Sequence, residues 1–311
     1  MNPESVSVVI PIFNEAKSIK SLLDALNNQT LKPSEVIFVD SGSLDGTTKI
    51  IENFIRAESL KNFAVISNPS GLPGGNRNIG IKKMSSDWVA LIDAGITPTS
   101  NWIESLHKSA HQFHKKIVFG RCSFIGITAF EDAVCALSYG IKTKPVLPAS
   151  LIYRPLFDQV GYFRDDLRAA EDIEWLTRIQ KANIPTMESI NCCATYNNFP
   201  ENTVAVVKKW WIYQKHKVKS GIVNYQPPTI AIFYLIVILL TCKNQFTGLF
   251  TLAMYLLVRG IIDPIRRSDN NFFWWSKNKA AFFWAIYLGP IIDITTALSY
   301  CKNKLELDVK K

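Results

Sequence analysis

Short apolar runs with the character of β-strands alternate with helical segments through the first part of the chain. The apolar runs are VSVVIPIF (6–13), EVIFVD (35–40), FAVISN (63–68), DWVALID (87–93) and KIVFGRC (116–122). Segments with helical periodicity lie between them, at 16–29, 47–56, 74–84 and 101–113. This alternation indicates βαβ units, because neighbouring parallel strands need a crossover connection, which is usually a helix. The sequence therefore predicts an α/β, Rossmann-like fold with a mostly parallel sheet flanked by helices.

Polar residues stand where three of these strands end. The first strand leads into 11–15 (PIFNE), the second into Asp40 and the turn DSGSLDGT, and the fourth into Asp93. Ligands of such sheets bind at the carboxyl ends of the strands, so we expect these side chains to meet at one site. Asp40 is placed to accept a hydrogen bond from a base or a ribose. Gly42 suits the tight turn that follows, and Asp45 is more typical of a helix cap.

Two other charged positions remain ambiguous from the residues alone. Arg77, in the glycine-rich stretch GLPGGNRNIG, either reaches a phosphate or lies solvated on its helix. Glu171 and Asp172 open a helix, where acids favour the macrodipole, and the alternative is that one of them is a general base. The fingerprint G-x-G-x-x-G is absent after the first strand, which argues against a dinucleotide-dependent dehydrogenase.

The composition changes towards the C-terminal end. Residues 229–300 are dominated by Ile, Leu, Phe, Trp and Tyr, and the change predicts a boundary near 227–228 (PP). We predict a first domain at 1–225, membrane-associated helices at 226–300 and a basic tail at 301–311. The net charge is +9, and basic residues cluster on both sides of the apolar segments. This placement favours a membrane surface over nucleic acid as the partner.

The apolar segments differ in length. Segments 229–242 and 246–258 are short against the roughly 20 residues that a helical span needs, so tilted spans and a re-entrant hairpin both remain open. Segment 280–298 is long enough, but Gly289–Pro290 predicts a break within it, which makes it re-entrant or interfacial. Asp293 in this segment could bind a lipid-linked acceptor or lie near an interface. The basic tail predicts a C-terminus on the inside and an even number of spans.

The start of the chain also bears on location. The stretch MNPESVSVVIPIFNE has no basic start and only a short apolar run, unlike a secretory signal peptide. We therefore expect the first domain to lie on the cytosolic side of the plasma (inner) membrane.

Several blocks of the sequence resemble one enzyme family. The opening VSVVIPIFNEAKSIKSLLDALNNQT and the later EVIFVDSGSLDGT look like the start of the family-2 inverting glycosyltransferases, which have the GT-A fold. PGGNRNIGI, DWVALIDAG, LIYRPLFDQVGYFRDDL and EDIEWLTR follow in the order of that family. The resemblance implies a membrane-anchored enzyme that transfers a sugar from a nucleotide-sugar, most often a UDP-sugar. The acceptor would be lipid-linked or a glycan, in polysaccharide or glycolipid biosynthesis.

The resemblance also implies roles for individual residues. Those that it places at the donor nucleotide are Pro11, Asn14, Glu15, Asp40, Gly42, Arg77 and Asp93. Asp93 matches the first acid of the family's Asp-x-Asp motif, which positions a divalent cation, Mg²⁺ or Mn²⁺. Asp172 matches the catalytic base. On the acceptor side we expect Glu171, Trp175 and Arg178.

The sequence departs from the family pattern at two places. Gly95 stands where the second acid of the Asp-x-Asp motif is expected. A lone Asp93 can still hold a hard cation together with phosphates and water, with weak affinity when no nucleotide is bound. Gly95 is explained if the backbone needs a positive φ there. The Gln-x-x-Arg-Trp motif of processive synthases is also missing, so we expect one sugar to be added per encounter.

Two rival functions and one rival site remain open. The first rival is a nucleotidyltransferase with a similar α/β nucleotide site, and the second is a degenerate, non-catalytic scaffold, which only Gly95 supports. His107, His111 and His114 are spaced at i, i+4 and i+7, which places them on one helical face and could bind zinc. We expect these histidines to be packed or solvated, because no acid accompanies them.

Overall fold

The computed structural model describes residues 5–222 and 226–309. The strands are β1 (Val6–Ile12), β2 (Glu35–Asp40), β3 (Phe63–Ser67), β4 (Trp88–Ile92), β5 (Ile96–Pro98), β6 (Ile117–Phe124), β7 (Lys144–Tyr153) and β8 (Met187–Tyr196). The helices are α1 (Ile19–Asn27), α2 (Thr47–Ala57), α3 (Pro73–Lys83), α4 (Trp102–Gln112), α5 (Ala129–Ser138), α6 (Pro155–Val160), α7 (Glu171–Lys181), α8 (Thr203–Ser220), α9 (Gln226–Lys243), α10 (Gln245–Leu257), α11 (Asp263–Arg267) and α12 (Ala280–Asp308). A π-helical turn at Val258–Ile262 joins α10 to α11.

The chain forms two compact units. The first comprises the described residues up to Ser123 together with Thr143–Asn198. The second comprises Phe124–Lys142 and the described residues from Phe199 onward. The predicted boundary near residue 225 therefore lies inside the second unit, because α8 already belongs to that unit.

Within the described residues, eight strands form one sheet in the order β3-β2-β1-β4-β7-β6-β8-β5. β1 pairs in parallel with β2 and β4, and β2 pairs in parallel with β3. β7 is antiparallel to both β4 and β6, and β5 is antiparallel to β8. The predicted α/β fold is confirmed. The sheet is mixed rather than mostly parallel, because β7 inserts between β4 and β6 and because β5 and β8 add an antiparallel pair that the sequence did not predict.

Of the parallel strands, β1, β2 and β4 are buried, which is why their sequences are continuous apolar runs rather than alternating ones. Every residue of β4 is buried, and β1 is nearly so. α3 packs very closely on this sheet at Gly80, where an added Cβ would lie only 2.4 Å from Cγ1 of Val9. Glycine is therefore required at position 80. This close approach fixes the position of α3, and with it Arg77 one turn earlier, relative to the ends of the parallel strands.

The second unit contains three helical stretches that are long and apolar enough to cross a membrane, within the described residues. They are Gln226–Lys243, Gln245–Arg267 and Ala280–Asp308. Large apolar side chains on them are exposed, among them Ile232, Leu235, Leu239, Phe246, Leu249, Phe250, Phe283 and Leu298. Such exposed apolar surface is typical of helices that contact lipid.

The predicted break at Gly289–Pro290 does not occur. α12 continues through Pro290 for 29 residues, which is about 43 Å at a rise of 1.5 Å per residue and exceeds a hydrocarbon core of about 30 Å. Gly289 serves close packing instead, since an added Cβ would lie 3.1 Å from Cγ of Arg259. By length alone this segment can span, where the sequence predicted a re-entrant or interfacial one.

Asp293, the acid within α12, is buried among protein groups. It accepts hydrogen bonds from the hydroxyl of Tyr255 (2.8 Å) and from Nε of Arg259 (3.0 Å). Arg259 in turn contacts Asp263 at 2.9 Å. Both oxygens of Asp293 have protein partners, so the residue belongs to an ion network, and the two alternatives predicted for it, an acceptor contact and a place near an interface, stay predictions.

Candidate active site

The carboxylate at the end of β2 is fixed by its own turn. Asp40 is buried and accepts hydrogen bonds from the backbone amides of Gly42 (3.0 Å) and Ser43 (3.1 Å), and from the Ser43 hydroxyl (2.6 Å). Gly42 has a φ of +88°, which glycine adopts without strain, so the tight turn predicted at this residue is present. Pro11 lies beside this strand end, paired with Val39 in the parallel register.

The loop after β1 is hydrogen-bonded to the loop after β2. The backbone amide of Asn14 donates to the Ser43 hydroxyl (2.9 Å), and the Asn14 side-chain oxygen accepts from the amide of Leu44 (2.9 Å). The backbone amide of Glu15 donates to Oγ1 of Thr47 at the start of α2 (2.8 Å). The two polar loops that the sequence places at the sheet edge therefore form one wall, as expected for strands that end side by side.

Glu15 lies close to other acids. Its side chain accepts a hydrogen bond from the Ser18 hydroxyl (2.7 Å) and from the amide of Asn198 (3.4 Å). Burial raises the pKa of the Glu15 carboxyl, and the negative charges of Asp93 and Asp45 add to that rise. The effect of Asp93 on this pKa indicates that the acids after β1 and after β4 share one electrostatic environment.

A buried arginine joins the end of β4 to the start of α7. Arg77, on α3, is 3% exposed and contacts Oδ1 of Asp93 and Oε1 of Glu171, each at 2.6 Å. Its guanidinium also lies 5.6 Å from the ring centroid of Phe163. Burial lowers the pKa of Arg77, but the two carboxylates outweigh it, so the pKa is raised and the side chain stays charged. The burial of Arg77 contradicts the alternative in which it lies solvated on its helix, and its contact with a phosphate stays a prediction.

Asp172 stands next to this ion bridge. Burial raises the pKa of its carboxyl to about 6, the negative charge of Glu171 adds to the rise, and Arg77 opposes it. Oδ1 accepts a hydrogen bond from the backbone amide of Ile173 (2.8 Å). A carboxylate with a pKa near 6 is a stronger base than an ordinary aspartate, and it is still mostly ionised at neutral pH.

The backbone before this acidic pair is strained. Ala170, the N-cap of α7, has a φ of +65°, in the left-handed region that L-residues with a Cβ seldom occupy. Such a conformation costs on the order of 1–3 kcal/mol and persists where the surrounding structure imposes it. Here it determines the direction in which α7 begins, and therefore where Glu171 and Asp172 lie.

Two predicted acceptor-side residues lie away from this cluster. Trp175 is fully buried, stacks on Phe157 with ring centroids 5.1 Å apart, and donates from Nε1 to the carbonyl of Gly161. Arg178 contacts both oxygens of Glu174 and the carbonyls of two residues in the segment before α7. The full burial of Trp175 corrects its predicted acceptor contact, and the acceptor contact of the partly exposed Arg178 stays a prediction. Glu171 alone of the three predicted residues reaches the site, through Arg77.

The residues around Asp93 offer one carboxylate to a cation. Its side chain is 39% exposed, with Arg77 on Oδ1. No group of three or more His, Cys, Asp or Glu side chains is arranged to hold a metal ion within residues 5–222 and 226–309. A single exposed carboxylate fits a Mg²⁺ or Mn²⁺ ion whose other ligands are phosphate oxygens and water.

Gly95 does not have the backbone conformation that would explain it. The described glycines with positive φ do not include it, so that explanation is wrong. An added Cβ would instead lie 3.2 Å from Nδ2 and 3.3 Å from Cβ of Asn198. Crowding by a neighbouring side chain, rather than φ, favours glycine at this position.

The three histidines do not form the predicted helical face. His107 and His111 lie on α4 with their Nε2 atoms 3.0 Å apart, beside the ring of Trp88. α4 ends at Gln112, and His114 has a φ of +50° beyond it. The zinc alternative required all three on one face, and the end of the helix removes the third.

The structure also brings residues to the site that the sequence did not indicate. Ser18, Ser43 and Thr47 bond the polar loops, and Asn198 reaches Glu15 from the end of β8. The loop residues could have been found from the serine and threonine content of the two loops, which favours such turns. Nothing in the sequence pointed to Asn198, because β8 was not predicted.

Comparison with known proteins gives the family. The sequence pattern of Glycosyl transferase family 2 matches residues 7–169, over half of the chain. The chain belongs to this family, which confirms the resemblance carried by its opening blocks and disfavours the nucleotidyltransferase alternative.

Relatives of known activity match parts of the chain. The glycosyltransferase AglE of Haloferax volcanii is 28% identical over 191 residues, covering 57% of this chain and 62% of AglE. A GalNAc(5)-diNAcBac-PP-undecaprenol β-1,3-glucosyltransferase of Campylobacter jejuni is 26% identical over 117 residues, covering 38% of each chain. The chain therefore matches less than two thirds of the length of these relatives.

Solved structures resemble the fold. A mannosyltransferase of Pyrobaculum calidifontis, solved in complex with GDP-Man and Mn²⁺, has a TM-score of 0.57 at 15% identity, covering 97% of this chain and 87% of that one. TarS 1–349 of S. aureus in complex with UDP-GlcNAc has a TM-score of 0.50 at 18% identity, covering 99% and 92%. At such low identity these likenesses concern the fold alone, and with the family match they confirm the predicted GT-A architecture.

Proposed function

We propose that the protein is a membrane-anchored inverting glycosyltransferase that moves one sugar per encounter from a nucleotide-sugar to a lipid-linked or glycan acceptor. One observation carries the proposal. At the edge where β1, β2 and β4 end, Asp172 lies beside the Arg77 ion bridge with its pKa raised to about 6. A half-buried base of raised pKa next to polar nucleotide loops is what direct displacement at a sugar carbon requires.

The reaction assigns a task to Asp172. The acceptor hydroxyl attacks the anomeric carbon while the Asp172 carboxylate accepts its proton. The new oxygen–carbon bond forms on one face of the sugar, and the bond to the diphosphate breaks on the opposite face, which inverts the configuration. The electron pair of the broken bond leaves with the nucleoside diphosphate. A positioned general base contributes about 10²–10⁴-fold to the rate of such a step.

The donor is held by the wall formed by the two polar loops. Asp40 is a fixed carboxylate that can accept hydrogen bonds from the nucleoside, and Pro11, Asn14, Glu15 and Gly42 shape the surface beside it. The TarS complex with UDP-GlcNAc and the mannosyltransferase complex with GDP-Man support a nucleotide-sugar donor. We take a UDP-sugar as the first candidate and a GDP-sugar as the alternative.

Asp93 is the residue that would hold a divalent cation, Mg²⁺ or Mn²⁺, together with the donor diphosphate and water. When bound, the ion would neutralise the negative charge that grows on the leaving diphosphate. The Mn²⁺ in the mannosyltransferase complex supports this assignment. Arg77 keeps Asp93 oriented by contacting its Oδ1, which leaves the rest of this partly exposed carboxylate towards solvent.

The apolar helices support an acceptor at a membrane. The three stretches that can span have exposed apolar side chains. The Campylobacter relative is named for an undecaprenol-linked acceptor, and a relative from Borreliella burgdorferi, 29% identical over 149 residues, is named a cholesterol galactosyltransferase. We therefore place the enzyme at the cytosolic face of the plasma membrane, where nucleotide-sugars and lipid acceptors meet.

A donor screen tests the proposal. The full chain in detergent micelles or liposomes is incubated with UDP- and GDP-sugars, with Mn²⁺ and after chelation, and the released nucleoside diphosphate is measured. We expect release with at least one donor, increased by a lipid extract that supplies acceptors. The matched control is Asp158→Asn, an exposed acid of the same unit, which should behave as the wild type.

Different outcomes identify the rival functions. Release of pyrophosphate from nucleoside triphosphates, without release of diphosphate from nucleotide-sugars, would indicate a nucleotidyltransferase. Nucleotide binding without turnover under every condition would indicate the non-catalytic scaffold.

A further inference from the structure

The first part of α12 packs against α5. The ring centroids of Phe130 on α5 and Trp284 on α12 lie 5.0 Å apart, and a Cβ added at Gly289 would lie 3.7 Å from Cδ2 of Leu137. α5 is the connection between β6 and β7, which pair in the sheet, and only short loops join it to them. A membrane crossing in each direction needs roughly 20 residues, so α5 stays on the same side of the membrane as the sheet.

The later part of α12 packs against α8. The Ser299 hydroxyl donates to the backbone carbonyl of Trp211 (2.9 Å), and Nζ of Lys302 lies 5.9 Å from the ring centroid of Trp211. The lysines of α8 are Lys208, Lys209, Lys215, Lys217 and Lys219. Because lysine is costly in the hydrocarbon core, so many on one helix keep α8 outside it. Ser299 and Lys302 therefore lie outside the core as well.

The two regions of contact are close together along α12. Gly289 and Ser299 lie about 15 Å apart along the helix axis, at a rise of 1.5 Å per residue. This distance is half of a hydrocarbon core of about 30 Å. The part of α12 between its contacts with α5 and α8 is thus too short to cross a membrane, and both contacts lie on the side of the sheet.

The surface that α12 leaves exposed is a narrow apolar stripe. Its residues are each at least 40% exposed, and they are Phe283, Tyr287, Ile294, Leu298 and Leu305. Their spacing of four and seven residues places them on one helical face. The opposite face is buried in the protein, at Ala281, Ala285, Leu288, Ile292, Thr295 and Ser299. One apolar face is typical of a helix that lies within the membrane interface with this face towards the acyl chains.

α9 and α10 have a different surface. Large apolar side chains are exposed at adjacent positions of both helices, at Leu235, Ile236, Ile238 and Leu239 and at Leu249, Phe250, Leu257 and Val258. The two helices approach so closely that Gly248 has no room for a Cβ beside Thr241, as is common for helices paired in lipid. The polar end of this pair meets the middle of α12, where Tyr255 and Arg259 bond to Asp293.

We propose that α12 lies in the plane of the membrane surface with its apolar stripe in contact with lipid, on the side of the sheet. Of the helices that the structure describes, only α9 and α10 then enter the hydrocarbon core. Lys208, Lys215 and Lys219 are exposed on α8, next to α12, and their charge suits anionic lipid headgroups. The inference rests on the membrane association in the proposed function and not on sugar transfer.

Depth measurements along the stripe test this arrangement. Phe283→Cys, Ile294→Cys and Leu305→Cys are made one at a time in the full chain carrying Cys242→Ser and Cys301→Ser, which removes the exposed cysteines. Each protein is spin-labelled and reconstituted in vesicles of phosphatidylcholine and phosphatidylglycerol. Collision of the label with oxygen, compared with a water-soluble relaxation reagent, gives its depth.

The three labels should lie at one depth if α12 is in the plane. In a helix that crosses the membrane, the label at position 294 would lie about 12–16 Å deeper than at least one of the labels at positions 283 and 305, which are each eleven residues away from it. The matched control is Ile238→Cys in the middle of α9, whose label should lie deeper than all three. Thermal midpoints equal to that of the parent protein would show that the labelled variants remain folded, and the parent itself corrects for labelling of other cysteines.

Reporter fusions give a second test in cells. Green fluorescent protein fluoresces on the cytosolic side of the inner membrane, whereas alkaline phosphatase is active only after export. Each reporter is joined to the C-terminal end of the full chain and, as the matched control that marks the side of the sheet, to its N-terminal end. Both ends should give fluorescence and no phosphatase activity.

The outcomes separate the inference from the function on which it rests. A label at position 294 that is deeper than those at positions 283 and 305, or chain ends on opposite sides, would overturn the inference and leave the proposed function in place. A protein that a salt wash removes from the membrane fraction would overturn both the inference and the proposed membrane anchoring. Equal depths in a protein that releases no nucleoside diphosphate in the donor screen would support the inference and count against sugar transfer.

Discussion

Each of the two compact units contains an arginine that bridges two carboxylates and is largely shielded from solvent, and the two bridges differ in charge balance. In the first unit Arg77 contacts Asp93 and Glu171, and Asp172 is close enough for its titration to respond to all three. Three carboxylates therefore share one guanidinium. Burial raises the pKa of Asp172, and the negative charges of Glu171 and Asp93 add to the rise.

In the second unit the balance is reversed. Arg259 bridges Asp263 and Asp293, and both Arg266 and Arg267 also contact Asp263. Three guanidinium groups thus surround two carboxylates. Arg267 also donates to a backbone carbonyl at the end of α5 (2.8 Å), which helps to satisfy a helix C-terminus.

The difference separates a reactive ion cluster from a structural one. Carboxylates that outnumber their cations in a buried site keep one proton-accepting group poised near neutral pH. Carboxylates that are outnumbered by arginines are paired with them and hold helices together. The number and charge of its partners therefore indicate the role of a buried acid better than its degree of burial does.

The largest expected effect follows from the excess of carboxylates in the first cluster. Asp172→Asn should lower transfer about 10²–10⁴-fold, since an amide cannot accept the proton of the acceptor hydroxyl. Nucleotide affinity, measured by calorimetry, should remain, because Asp172 is not part of the loops after β1 and β2. Asp158→Asn is the matched control, and turnover of Asp172→Asn near that of the control would remove Asp172 from the mechanism.

Removing the arginine of the first cluster should affect stability most. Arg77→Leu leaves Asp93 and the buried Glu171 without their cation, and breaking such a pair costs about 3–5 kcal/mol. The thermal midpoint should fall, and the pH at which activity is half-maximal should rise, because Arg77 opposes the raised pKa of Asp172. Arg56→Leu, an exposed arginine on α2, is the control. An unchanged midpoint and pH profile would show that the bridge has no such role.

The sequence predicted the first cluster only in part, for physical reasons. Asp40 and Asp93 could be found because strand ends are visible in the pattern of apolar residues, whereas the choice of Asp172 depended on the family resemblance. The burial of Arg77 could not, since it depends on the close approach of α3 to the sheet at Gly80. Trp175 was misplaced because helical periodicity does not distinguish the side of α7 that faces the core from the side that faces a ligand.

The second unit was harder to predict because local signals there conflict with packing. Gly289 and Pro290 are helix breakers in water, but α12 continues through them, with Gly289 packed against Arg259. Asp293 in an apolar segment suggested a functional acid, and its partners lie on helices far away in sequence. Contacts between residues far apart in sequence cannot be predicted from the local pattern of apolar and polar residues.

A smaller effect is expected from the acid of the second cluster. Asp293→Asn keeps an acceptor for the Tyr255 hydroxyl but loses the charge opposite Arg259, so the protein should be destabilised by about 1–3 kcal/mol. Transfer per folded molecule should be unchanged, unlike in Asp172→Asn. Asp308→Asn, at the exposed end of α12, is the control. A loss of transfer without a loss of stability would make Asp293 a functional residue and remove the contrast between the clusters.

The smallest expected effect is on folding stability, and it comes from the free energy needed to keep Asp172 ionised in the folded protein. Its pKa is raised from an ordinary value of 3.8 to about 6, so between these values the folded state binds more protons than the unfolded state. Stability therefore falls as the pH rises through this range, and the cost is fully present above about pH 6. A shift of this size corresponds to at most about 3 kcal/mol, and partial solvent exposure reduces it to about 1–2 kcal/mol. Asp172→Asn removes the charge, so the variant should be more stable than the wild type at about pH 8.

At about pH 4 the greater stability of Asp172→Asn over the wild type should disappear, because Asp172 is then protonated in the folded wild type. Thermal midpoints of both proteins across this pH range measure the difference, with Asp158→Asn to show the behaviour of an exposed acid. An advantage that is constant with pH would mean that the amide packs better for reasons unrelated to charge. A stability advantage that grows as the pH rises would show that the burial and the neighbouring negative charge that make Asp172 a base also destabilise the fold. In the second cluster the carboxylates are instead outnumbered by guanidinium groups.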